Sequence, residues 1–119
     1  MKTRSSTDIL RELSRIRGVN AVVVVGRDGL VIESIGHVTN TNLDILGAAI
    51  ASAINNINDM GTELRVGGFV DLFINYHNAM IMCFPAGEVV CGIASADPST
   101  LGMIRHMSQK LIPELASMY

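Results

Sequence analysis

The sequence predicts an α/β (α+β) fold: a three-layer αβα sandwich around a five-stranded antiparallel sheet, with elements in the order α-β-β-α-β-β-β-α. Three observations carry this expectation. The β-branched and apolar runs fall into two groups joined by short turns, so pairing within each group is antiparallel. The later runs are apolar on both faces and demand cover on both sides. Three helical stretches can provide that cover, the second on one face and the first and last on the other. The length of 119 residues fits a single domain over 1–119.

Each element has a local reason. In residues 7–17, Ile9, Leu10, Leu13 and Ile16 form an i, i+3/i+4 stripe on a charged segment. Ser and Thr at 5–7 can cap its start and Gly18 can end it. Residues 20–26 and 30–35 are β-branched runs flanking Arg27-Asp28-Gly29, a hairpin signal in which Gly29 supplies the positive φ. Residues 42–60 form the longest helix, with Thr41 as the expected N-cap and Gly61 as the expected C-cap. Strands follow at 68–76, 79–85 and 88–95, turned by His77-Asn78 and by Pro85-Ala86-Gly87-Glu88. The Gly67-Gly68 pair marks a bend entering an edge strand. Asp97-Pro98 opens the last helix, and Pro113 is expected to kink it or end its regular part.

Composition excludes several function classes. Apolar residues make up 49% of the chain and charged residues 17%, which suits a packed core. The formal charge of −2 offers no basic excess for nucleic acid. No apolar run reaches the roughly 20 residues of a membrane span, and the start MKTRSSTD lacks the apolar stretch of a secretory signal. A cytoplasmic location is the resulting expectation. Cys83 and Cys91 lie in apolar strands and read as buried thiols, not as a disulfide scaffold.

The search for chemistry returns no catalytic, cofactor or metal constellation, so no enzyme and no cofactor are expected. Gly26-x-x-Gly29 leads into a strand and lacks the Lys-Ser/Thr and helix that a phosphate-cradling loop requires. His37, His77 and His106 sit in three segments without ligand spacing. Asp71 reads as a charge at a sheet edge that discourages unwanted pairing, and Arg27 and Asp28 read as a solvated hairpin tip.

What stands out is an uncharged helix face. Leu43, Leu46, Ile50, Ala53, Ile57 and Met60 repeat with spacing 3-4-3-4-3, a narrow seam of the kind that packs on another helix. Gly47, Ala48, Ala49 and Ala51 permit close approach, and the strand carrying Val70, Leu72, Ile74 and Tyr76 is apolar on one face. Both features suit self-association about a twofold axis, with edge strands pairing and second helices meeting beside them. The expected dimer interface is Leu43, Leu46, Gly47, Ile50, Ala53, Ile57, Val70, Leu72 and Ile74.

The segment LSRIRGVNAVVVVGRDGLVIES, the long small-residue helix, and DPSTLGMIRHMSQKL after three strands resemble the Roadblock/dynein light-chain family, in its single-domain prokaryotic branch. Gly102 within TLGMIR matches the closing-helix pattern of that family. The resemblance covers about Asp8 to Leu115 and implies a profilin-like fold. It also implies a homodimer with a continuous sheet joined through the strand near 68–76, and a docking platform for a small Ras-like GTPase that in some members stimulates GTP hydrolysis by acting on the switch loops. Arg27, Arg65 and Arg105 are arginines by type only; nothing in the pattern makes one of them a finger. The alternative is a scaffold subunit of a larger motility, polarity or transport complex, without effect on nucleotide turnover.

Overall fold

The structure, a computed structural model, describes residues 4–119; residues 1–3 of the N-terminal stretch read above lie outside the described residues. Helix α1 (Ser6–Ser14) is opened by a capping box: the Ser5 hydroxyl accepts from the Asp8 amide, and the Asp8 carboxylate accepts from the Ser5 amide. Its stripe buries Ile9, Leu10 and Leu13 against the sheet. The helix stops at Ser14, short of the expected 17, because the Arg15 amide turns back to Glu12 and Leu13 and tightens the last turn.

The sheet contains β1 (Val19–Val25), β2 (Val31–Gly36), β3 (Leu72–Asn75), β4 (Met80–Ala86) and β5 (Val89–Ser95), in spatial order β2-β1-β5-β4-β3. Every neighbouring pair is antiparallel. The β1–β2 turn is a hairpin, as its sequence predicts. Gly29 takes φ +90°, the Gly26 amide donates to Leu30 at 2.9 Å, and Asp28 Oδ1 accepts from the Leu30 amide.

Alternation along β1, β4 and β5 builds two cores. Val22, Val24, Met80, Met82, Phe84, Cys91 and Ile93 pack with α1 and α3 (Leu101–Ala116). Val23, Val25 and Cys83 pack with Ile50, Ala51 and Ile54 of α2 (Leu43–Leu64). The three-layer αβα arrangement follows, with α2 alone on its face. At the close of β5, buried Ser95 forms a polar knot. Its hydroxyl donates to the Gly18 carbonyl (2.8 Å), meets the Thr100 hydroxyl (3.0 Å) and accepts from the Asp97 amide (3.1 Å). The knot ties the end of the sheet to the 3₁₀ turn Pro98–Thr100 that leads into α3.

Further boundaries differ from expectation, each for a local reason. Asn42 caps α2 in place of Thr41, its Oδ1 accepting from the Ile45 amide at 2.9 Å. The helix runs through Gly61 to Leu64 and closes on Arg65, whose φ of 57° is left-handed and whose amide bonds back to Gly61 and Thr62. Strand β3 covers only Leu72–Asn75, the residues that find partners in β4; residues 68–71 stay outside the ladder. Helix α3 passes through Pro113 to Ala116. Pro113 has no amide to donate to the Gln109 carbonyl, and both residues lie on the exposed side of the helix.

Glu33 of β2 joins distant parts of the chain. It accepts hydrogen bonds from the hydroxyls of Ser6 (2.6 Å), Thr7 (2.6 Å) and Tyr119 (3.1 Å). Burial opposes its ionisation, yet these three donors outweigh burial and hold the carboxyl below its ordinary range. A depressed folded value gives a contribution that is complete above the unfolded value and is lost as pH falls through the folded one. In E33Q, unfolding free energy should therefore fall less steeply on acidification below about pH 5 than in the parent. Urea titrations across that range measure it, and parallel slopes would count against the role.

Gly47 is a second point of constraint. A Cβ there would lie 2.5 Å from Val31 Cγ2 and 3.4 Å from the Gly29 carbonyl, so α2 crosses the first hairpin at a distance only hydrogen allows. Gly47→Val should destabilise the subunit by about 1–3 kcal/mol. The shift in urea midpoint should be independent of protein concentration. A stability like that of the parent would refute the close crossing.

Candidate dimer and docking surface

Strand β3 lies at one margin of the sheet, hydrogen-bonded to β4 on one side only. Its opposite row of backbone donors and acceptors is open, the condition under which a second strand can add. Beside it, α2 covers the sheet incompletely. A groove of about 120 Å³ separates helix from strand, lined by Leu46, Ala49, Ile50, Ala53, Leu72, Ile74, Tyr76, Ile81 and Cys83. No charged side chain lines it. Tyr76 in its lining is 56% exposed, and Val70, two residues ahead of β3, is 81% exposed. An uncharged apolar groove beside an unpaired strand edge is what an interaction surface looks like.

The structure divides the expected interface. Leu46, Ala53, Leu72 and Ile74 come together in the groove, and all four are partly buried. Leu43 packs half-buried on the α2-side core, and Ile57 is also half-buried. Val70 precedes β3 and stands in solvent. Gly47 and Ile50 point inward: Gly47 sits on Val31, and Ile50, 5% exposed, reaches Gly92 of β5 and forms the groove floor. A seam read as one helix–helix contact is thus in part the contact between α2 and its own sheet. The groove also uses Tyr76 and Ala49, which the pattern placed nearby, and Ile81, which it did not single out. Ile81 faces α2 because its neighbours Met80 and Met82 face the other core.

The remaining candidates take ordinary places. Arg27 and Glu88, at the tips of two hairpins, pair at 3.2 Å with both side chains about three-quarters exposed, a contact worth about 0–1 kcal/mol. Asp71 is exposed just ahead of β3, Arg65 is exposed at the C-cap of α2, and Arg105 is exposed on α3. His37, His77 and His106 are exposed in three separate segments, and among the described residues no group of His, Cys, Asp and Glu gathers to hold a metal ion. Cys83 and Cys91 are free thiols on adjacent strands, Cys83 in the α2-side core and Cys91 in the other. Burial pushes both up to about 12, so neither supplies a thiolate nucleophile at neutral pH. No helix among the described residues is long and apolar enough to cross a membrane.

Comparison with known proteins agrees with this architecture. The chain is 27% identical over 111 residues to an uncharacterized protein of Methanocaldococcus jannaschii, covering 93% of each chain. It superposes on Myxococcus xanthus MglB with a TM-score of 0.87 at 18% identity, covering 99% of this chain and 97% of that one. An MglB solved with a tetrameric arrangement gives a TM-score of 0.83 at 18% identity, over 95% of this chain and 86% of that one. At such identities the two superpositions speak to the fold. The family model for the Roadblock/LC7 domain matches residues 6–94, from the start of α1 almost to the end of β5, and the chain therefore belongs to the Roadblock/LC7 domain family.

Proposed function

We propose that this protein works as a homodimeric, non-catalytic platform that docks a small Ras-like GTPase and biases its switch loops. The observation that carries the reading is the open β3 margin with its uncharged groove. Two copies related by a twofold axis would pair β3 with β3, making one continuous sheet, and would set the two α2 helices side by side over the joint. Leu46, Ala53, Leu72 and Ile74 form the contact, with Ala49 and Ala53 small enough for the helices to approach closely. Val70, two residues ahead of β3, is exposed where a partner strand would cover it. The family, and an MglB with a tetrameric arrangement among the similar structures, support self-association.

A platform of this kind needs no reacting group of its own. It stimulates hydrolysis, or holds one nucleotide state, only to the extent that it binds that state more tightly. A cytoplasmic location goes with such a partner.

Analytical ultracentrifugation at micromolar concentration should give about twice the subunit mass of 12.8 kDa. Ile74→Lys should return a lone, folded subunit, because the charge would enter the groove next to the partner's strand. A parent protein that sediments as a single subunit would sink the platform. In a titration against a small Ras-like GTPase, affinity for the GTP form should differ from that for the GDP form by about tenfold or more. Equal affinities, with turnover unchanged, would leave a tether and no regulator.

A further inference from the structure

A cleft of about 320 Å³ opens at the hairpin-tip end of the sheet, beside the second half of α2. Its floor is apolar: Val25 of β1, Ala51 and Ile54 of α2, and Val90 of β5. The segment joining α2 to β3 adds Gly68 and Phe69 to the lining, and Phe69 packs half-buried on the α2-side core. The uncharged polar groups around this floor lack partners. The Asn55 and Asn58 carboxamides stand three residues apart, on one face of α2, and form no hydrogen bond among the described residues. The backbone groups of Gly68 and Phe69 enter neither the β3–β4 ladder nor a turn hydrogen bond. Charge is already answered: Arg27 and Glu88, the two charged residues of the lining, pair with each other at 3.2 Å.

The Gly67-Gly68 pair supplies a separate observation. Gly67 takes φ +90°, which by itself calls for glycine. Gly68 does not: its φ is not positive, and a Cβ there would meet nothing within 4 Å. Neither backbone conformation nor packing asks for glycine at 68, yet the residue lines the cleft. The missing side chain leaves its peptide group bare to whatever enters.

We propose that this cleft binds a small uncharged molecule with an apolar ring and a carboxamide or lactam edge. The ring lies on Val25, Ile54 and Phe69, and the edge meets Asn55, Asn58 and the Gly68 peptide. An amide edge offers a donor beside an acceptor, which carboxamides and peptide groups can both answer. A purely apolar molecule would strip water from these groups and return nothing, and an ion would have to break the Arg27–Glu88 pair to be neutralised. The volume sits near the lower end of the roughly 300–1,000 Å³ that small-molecule sites occupy, room for one or two rings. The cleft shares no lining residue with the groove beside β3, so the site does not rest on the dimer.

The test titrates the full ¹⁵N-labelled chain with three probes of one shape, benzamide, benzoate and benzylamine. Benzamide should shift the backbone amides of Gly68 and Phe69 and the side-chain amides of Asn55 and Asn58 saturably, and bind about tenfold more tightly than either ion. N55A/N58A should weaken benzamide binding about tenfold. Gly68→Ala should weaken it several-fold while leaving the urea midpoint unchanged or slightly raised, since the fold has space for the methyl group. Circular dichroism checks that both variants are folded, and the shifts on the parent protein test the site whatever the variants do. Absence of saturable shifts, equal binding of the three probes, benzamide binding untouched in both variants, or shifts confined to Tyr76 and Ile81 of the other groove would each overturn the proposal. So would movement of the Gly68 and Asn55 resonances with protein concentration alone, which would give the cleft to a second copy.

Discussion

Apolar side chains on both faces of the central strands constrain everything else in this molecule. Val22 and Val24 of β1 point one way and Val23 and Val25 the other, all with essentially no exposure. Each buried aliphatic side chain stabilises the fold by about 1.5–3 kcal/mol only while it stays out of water. Neither face can be left bare, so the chain must lay helices on both, and the layers follow from that requirement.

The two coverings are unequal. α1 and α3 together seal one face over Met82, Phe84, Cys91 and Ile93. α2 alone serves the other and seats itself over the first hairpin, where Gly47 lets it come close. One helix cannot also reach the far margin of a five-stranded sheet. The cover therefore thins toward β3, which is where the uncharged groove opens. The groove is the remainder of an intramolecular packing problem, and its location needs no separate explanation.

Much of this was legible in the residues. Periodicities of two and of 3.6 reflect burial directly, and Gly29 announced the first hairpin because few other residues accept its φ. Element order, the division of helices between faces, and the apolar character of α2 and β3 all came from such local signals. What the sequence hid was decided by distance. Gly47 and Ile50 share the helical spacing of Leu46 and Ala53, and only the position of the sheet separates inward from outward. The length of β3 was obscured for the same reason: residues 68–71 have strand-like character, but β4 pairs with Leu72–Asn75 alone. Ile81 escaped notice because an all-apolar strand gives no clue to which side chains face which layer.

Cys83 and Cys91 stand on neighbouring strands, yet each belongs to a different hydrophobic cluster. Nature has thus equipped the sandwich with a natural reporter on either side of its sheet. A thiol reagent meets Cys83 when the groove beside β3 widens or the single-helix side lifts, and Cys91 only when the helix pair loosens. Their separate labelling rates would reveal which cover peels first, without any foreign probe being introduced.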